Sequence, residues 1–172
     1  MDGAMIMTSR SLAGVSDAST AAPSRLEAFP LLISAIAEEG YALAVGSRLL
    51  PDSRVKRSLG RRALTRGYRL IIKAMFQTRF SDAQCGFKAA RADIARRLIP
   101  LIEDNNWFFD TEMLILAEKA GYRLKDVPVA WVEDFDTRVN VPKTISEDLL
   151  GLARMRLRRP WLKVRREGEG EA

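Results

Sequence analysis

Between Tyr41 and Val132, short apolar runs alternate with longer stretches of helical period, and this alternation constrains the fold more than any other feature of the chain. Tyr41 to Val45 is an apolar run of strand length that ends at Gly46. From about Arg62 to Gln77 the period changes, and Leu64, Tyr68, Ile71, Ile72 and Met75 fall on one face of a helix. Gly86 to Ala90 reads as a strand or its edge, and Ala92 to Ile102 as a helix. Asp110 or Thr111 opens another helix, which Gly121 ends. Tyr122 to Val132 alternates loosely, as a strand does, and Val141 to Arg159 forms a last helix closed by Pro160. Upstream, Ser24 and Glu27 fit a capping box for a helix to about Glu39, although Pro30 would move its start to the proline. The order helix, strand, helix, strand, helix, helix, strand, helix predicts an α/β architecture.

The rest of the chain is simpler. Residues 1–23, rich in Ser, Ala, Thr and Met, carry no period and read as a disordered tail. Residues 49–62 form a basic, polar connection with a turn at Pro51-Asp52-Ser53. Residues 24–160 hold the folded unit, and 161–172 a charged C-terminal tail.

Histidine is absent, which excludes His general bases, His triads and His metal ligands. One cysteine, Cys85, excludes an internal disulfide and a cysteine zinc site, and is most simply a small buried apolar residue. A metal here would need oxygen ligands, which points to Mg²⁺, Mn²⁺ or Ca²⁺. The longest apolar runs are too short to span a bilayer. The formal net charge is +6, and residues 154–166 hold seven cations and no acid. Such a cluster favours phosphate-rich partners, either an anionic membrane or nucleic acid. Nucleic acid ranks last, because only Trp161 interleaves with the basic run and no binding motif is present.

Five groups of residues are candidates for chemistry, each with an ordinary structural alternative. Arg48 follows a strand end, where it can hold a phosphate or sit on a surface turn. Arg62, Thr65 and Arg66 stand at helical spacing, so they can converge on an anion or form a solvated basic face. Asp82, Gln84 and Lys88 flank Gly86, where a ligand can approach the backbone; a polar strand entry is the alternative. Asp110, after Trp107-Phe108-Phe109, either caps a helix or serves as a general base beside an aromatic wall for a sugar ring. Trp131, Glu133, Asp134, Asp136 and Arg138 crowd one loop, a binding loop or a solvated acidic one.

Read in order, these segments resemble the C-terminal half of family 2 glycosyltransferases, from about Leu26 to Arg154. The likeness is greatest to dolichyl- or polyprenyl-phosphate sugar synthases. It is carried by Ala44-Val45-Gly46-Ser47-Arg48, Arg62 with Thr65-Arg66-Gly67-Tyr68, Phe80 to Lys88, Trp107 to Glu112, Val127 to Trp131 and Glu133 to Val139.

The resemblance implies a partial GT-A fold with a Rossmann-like sheet, and inverting transfer of a hexose from UDP- or GDP-sugar to polyprenyl phosphate. By that likeness Arg48, Arg62 and Arg66 bind acceptor or diphosphate oxygens. Asp82 and Asp110 line the sugar site, Asp110 standing at the family's base. Gln84, Lys88, Trp107 and Trp131 also contact substrate, and the loop holding Asp134 and Arg138 closes over the donor. The family's nucleotide-binding first half has no match here. Its Asp-x-Asp metal motif falls on Ser19 and Ala21, or, with an insertion, leaves Asp17 as one carboxylate for Mg²⁺ or Mn²⁺, a poor site alone. A non-catalytic remnant or accessory module is therefore the competing reading. The basic helix at 144–159 is expected on a membrane surface at the cytoplasmic face, with core packing as the alternative. Bare strand surface left by a missing half would pair with a second copy or a partner.

Overall fold

The computed structural model describes residues 4–8, 28–56, 59–132 and 141–170. Its architecture is mixed α/β. In chain order the elements are β1 (Ala4–Thr8), α1 (Phe29–Ala37), β2 (Leu43–Ser47), β3 (Arg54–Lys56), α2 (Leu59–Phe76), β4 (Phe87–Arg91), α3 (Ala92–Leu98), a 3₁₀ turn (Ile99–Leu101), α4 (Phe109–Ala120), β5 (Leu124–Pro128), β6 (Ala130–Val132), α5 (Val141–Arg158) and α6 (Trp161–Gly170).

The main sheet has the strand order β1-β4-β2-β5, and β3 pairs with β6 in a separate two-stranded ribbon. β2 runs parallel to β5, with Leu43 opposite Leu124 and Ser47 opposite Pro128. β4 runs antiparallel to both β2 and β1. The carboxyl ends of β2 and β5 therefore meet the amino end of β4 at one edge of the sheet. In open α/β sheets, ligands bind outside the carboxyl ends of the strands, and the candidates Arg48, Asp82 and Lys88 collect at that edge.

All five β2 residues are buried, as the apolar run at Tyr41–Val45 predicts. Gly46 in this strand has no alternative: a Cβ there would meet Val129 Cγ1 at 2.8 Å and Cys85 Sγ at 3.1 Å. α1 places Leu32, Ala35 and Ile36 against the sheet. It begins at Phe29 with Pro30 in its first turn and no side-chain cap. Proline lacks the N–H that a first turn leaves unpaired, so it starts a helix without penalty. Ser24 and Glu27, the expected capping box, lie outside the described residues. α4 is buried continuously from Thr111 to Ala117 and is closed by Gly121 in the left-handed region at φ 99°. α5 crosses the start of α4 so closely that a Cβ at Gly151 would lie 2.6 Å from the Phe108 ring.

Several expectations change. Residues 4–8 form a strand along β4 rather than part of a disordered tail. The connection at 49–62 contains β3, and Tyr122–Val132 divides into β5 and β6. Residues 161–170, read as a charged tail, form α6 and bury Trp161 and Val164, with Trp161 edge-on to Phe76 at 6.0 Å. On α2 the inner face is Thr65, Ile72 and Phe76, while Leu64 and Ile71 are exposed. The apolar positions of α2 encircle more of the helix than one core can cover, so period alone did not identify the buried arc.

Candidate functional site

The site is built on the end of β2. Arg48, the residue after the strand, donates from Nε to Asp82 Oδ2 at 2.6 Å and from a terminal nitrogen to Oδ1 at 2.9 Å. Its backbone N–H also reaches Oδ2, at 3.1 Å. Both side chains are buried, 6% and 1% exposed. Burial pushes the Asp82 carboxyl upward, but the hydrogen bonds and charge of Arg48, with the charge of Lys88, outweigh it and hold the group below its ordinary value. A bidentate pair of this kind uses the guanidinium fork that a phosphate would otherwise take. Arg48, expected on an anion from outside the chain, is thus committed to Asp82, and Asp82 to Arg48.

The flanking hydroxyls tighten the edge. Ser47 and Ser81 share a buried hydrogen bond of 2.6 Å between their hydroxyls. Ser53 donates to the Ser47 carbonyl at 2.5 Å and accepts from the Val129 N–H at 3.3 Å, joining the β3–β6 ribbon to the site. Asp126, on β5, accepts the Ser81 N–H at 2.8 Å, and burial raises its carboxyl above the usual range.

Lys88 and Asp110 form a second pair. Lys88 projects from β4, is 2% exposed as a residue, and donates to the Cys85 carbonyl. Its Nζ lies 2.9 Å from Asp110 Oδ2, and the Asp110 side chain keeps 16% exposure. Asp110 makes no helix cap, because the α4 N-cap is Phe108 with no side-chain bond. It sits in the first turn, where a carboxylate suits the helix dipole. Of the two candidate catalytic carboxylates, Asp110 is the one that opens to solvent. Cys85 is buried, its thiol pushed up by desolvation, as its reading as a small apolar residue requires.

Gln84 bridges outward. Its N–H donates to Asp82 Oδ1 at 3.2 Å, and its carboxamide donates to Asp148 Oδ2 at 3.0 Å. Trp107 stands beside Asp110 in sequence and is 52% exposed. Glu112, left open as cap or base, is buried and holds Arg154 of α5 at 2.7 Å.

The other candidates lie apart. Arg62 and Arg66 are exposed on α2 and Thr65 is buried, so the three do not converge on one anion. Arg62 donates to the Val55 carbonyl at 3.1 Å. Trp131 belongs to β6; its side chain, together with Asp134, Arg138 and Asp17, lies outside the described residues. Among the described residues no three metal-binding side chains cluster, and Asp82 and Asp110 each face a cation. Those two carboxylates do not fit an Mg²⁺ or Mn²⁺ site as arranged.

Sequence reasoning missed Asp148, Tyr68 as its neighbour, Asp126 and the Ser47–Ser81 bond. Asp148 did carry a signal. It falls in the apolar stripe Ile145, Leu152, Met155 of α5, where a carboxylate has no reason to be unless it has partners.

No family model matches the chain. Curated relatives do. It is 35% identical over 130 residues to glycosyltransferase AglD of Haloferax volcanii, an alignment covering 76% of this chain and 20% of the relative. It is 35% identical over 101 residues to the dolichyl-phosphate beta-glucosyltransferase of Dictyostelium discoideum, covering 57% and 31%. The enzyme of the same name from Saccharomyces cerevisiae is 30% identical over 95 residues, covering 54% and 28%. The chain thus spans between a fifth and a third of the length of these relatives. The mixed sheet and its site edge fit part of a Rossmann-like glycosyltransferase fold, and the chain is a glycosyltransferase-like protein related to the dolichyl-phosphate sugar transferases.

Proposed function

We propose that the chain is the acceptor-side segment of a transferase that moves a hexose from UDP- or GDP-sugar to a polyprenyl phosphate at a membrane surface. The observation that carries this is the Lys88–Asp110 pair at the carboxyl edge of β2 and β5, with Asp110 partly open to solvent and Trp107, three residues earlier in the chain, exposed. In this reading Asp110 faces the reacting sugar and Lys88 orients its carboxylate. A phosphate acceptor is already anionic, so Asp110 has little proton to remove and acts through position and charge. Trp107 supplies an apolar wall for the sugar ring, and Gln84 a hydrogen bond. Arg48 and Asp82 hold the floor of the site as a pair. Arg62 and Arg66 are the exposed cations for the acceptor phosphate. In this reading Trp131, Asp134 and Arg138 belong to the donor-closing loop, and Asp17 is the one carboxylate offered to a metal.

The membrane side of the proposal rests on exposed apolar residues next to cations. On α5 these are Leu149, Leu150 and Leu157 with Arg156, and on α2 they are Leu59, Leu64, Leu70 and Ile71. α2 contains five cations and no acid. Such surfaces suit an anionic leaflet, as at the cytoplasmic face. Among the described residues no helix is long and apolar enough to cross a membrane. The sheet ends in β1 and β5, the two edges on which a second copy or a donor-binding half would add.

A second reading, a non-catalytic accessory module, is supported by the commitment of Asp82 to Arg48. Calorimetric titration with UDP-glucose and GDP-mannose in the presence of Mn²⁺, followed by transfer to polyprenyl phosphate, separates the two. Binding and transfer that fall with Asp110→Asn support the transferase. A folded chain that binds neither nucleotide sugar supports the accessory module.

A further inference from the structure

We infer that Asp148 is a positioning residue that ties the Asp82–Gln84 turn to α5 through the Gln84 carboxamide, so that the geometry of the site edge follows the protonation state of one buried carboxyl.

The inference starts from an unusual placement. Asp148 faces inward from α5 and is 3% exposed. A carboxylate in such a place is normally paired with a cation or held by several donors. Among the described residues no cation pairs with Asp148: its Oδ2 accepts Gln84 Nε2 at 3.0 Å, the Tyr68 hydroxyl is its other neutral polar neighbour, and its Oδ1 has no hydrogen-bond partner. The groups facing it are Tyr68 from α2, Gln84 from the turn, Asp104 from the segment before α4 and Glu147 from α5 itself. Tyr68 is oriented by its hydroxyl, which donates to Thr111 Oγ1 at 3.3 Å. Three elements thus meet on one acid, and none of the groups named here as facing it is cationic.

The consequence is titration in an accessible range. Burial pushes the Asp148 carboxyl up to about 6, with repulsion from Asp104 and Glu147 adding to it and hydrogen bonding from Tyr68 and Gln84 opposing it. The two protonation states hold Gln84 differently. An ionised carboxylate accepts a charge-assisted hydrogen bond, stronger than the bond to a neutral acid. The same Gln84 donates its backbone N–H to Asp82 Oδ1, the oxygen that also receives the Arg48 guanidinium. A change at Asp148 therefore passes along a continuous hydrogen-bonded chain, Asp148–Gln84–Asp82–Arg48, to the end of β2. That the turn contacts a sugar rests on the function proposed above; the linkage itself rests on the geometry alone.

The test is an NMR titration of the isotopically labelled full chain from pH 4.5 to 8, without nucleotide sugar. The expected result is one transition with a midpoint near pH 6, seen at the Asp148 carboxyl carbon, at the Gln84 side-chain amide and at the backbone amides of Gln84 and Arg48. In Asp148→Asn that transition disappears from all of them, while amides within α4 keep their positions. A Gln84 side chain that does not titrate overturns the inference. So does a Gln84 side chain that titrates while the Arg48 and Asp82 amides stay fixed, because Asp148 would then have no hold on the turn. The wild-type titration decides the matter even if the variant fails to fold. Since no nucleotide sugar is present, a failed transferase reading would leave this result unaffected.

Discussion

Arg48 with Lys88 and Arg62 with Arg66 are two pairs of cations that look alike in sequence and live in opposite surroundings. Arg48 and Lys88 are buried, each against one carboxylate. Arg62 and Arg66 are solvent-facing on α2, in a helix without acids. The first pair cannot leave its partners without stranding a charge in the interior, so it is architecture at the floor of the site. The second pair is screened by water and contributes little to folding; under the function proposed above it would meet the acceptor phosphate. Two pairs of like cations therefore differ according to what buries them.

The sharpest way to break this comparison is Arg48→Ala. It leaves Asp82 buried and uncompensated, and should cost about 3–5 kcal/mol, measured by urea unfolding. A cost near that of a surface substitution would mean that Asp82 finds water or another partner. Gly46→Ala and Gly151→Ala come next. Each forces a methyl group against fixed neighbours, Val129 or the Phe108 ring, and should cost about 1–3 kcal/mol by overpacking. Thermal unfolding checks both, and the Gly151 variant should also shift the NMR signals around Asp110.

The pH dependence sharpens the comparison from inside the site. Asp82 is held below its ordinary value, so its stabilisation is present above the unfolded value and is lost as pH falls through the folded one. Asp148 behaves oppositely. Its carboxyl is raised from 3.8 to about 6, so its contribution is complete below the unfolded value and is lost as pH rises through the folded one. Asp148→Asn should remove that loss and gain about 1–2 kcal/mol above pH 7 relative to pH 4, after allowing for solvent screening. Unfolding free energies of both proteins across that range give the answer.

The smallest effect on folding belongs to Arg62→Gln with Arg66→Gln. It should stay within about 0.5 kcal/mol by urea unfolding. Binding to vesicles rich in anionic lipid should nonetheless weaken by about 30-fold, since each of the two cations near such a surface contributes about 1 kcal/mol. Unchanged vesicle binding would move the proposed phosphate contact away from α2.

Part of the geometry at the sheet edge is legible in the sequence. Lys88 and Asp110 were singled out from their segments, and they meet at 2.9 Å. Asp82 and Arg48 were singled out too, but as ligands for something outside, because sequence shows a charge without showing its partner 34 residues away. Asp148 was passed over, since a single acid in an apolar stripe becomes meaningful only when Gln84, from 64 residues earlier, is seen against it. The α2 face was misplaced for a related reason. Its apolar residues outnumber those the core can take, and only the packed neighbours select Ile72 and Phe76 over Leu64 and Ile71.

The sequence by itself determined the alternation of elements, the apolar strand ending at Gly46, the exclusion of histidine and disulfide chemistry, and the resemblance that relatives bear out. These are local or compositional properties, set by the preference of each residue for its own backbone geometry and by what side chains are available. Tertiary structure alone decided which cations are buried, which carboxylate opens to solvent, and that a strand from residues 4–8 and a helix from 161–170 join the fold. Those outcomes depend on contacts between residues far apart in the chain, and a desolvated charge takes its properties from whatever group the fold brings to it.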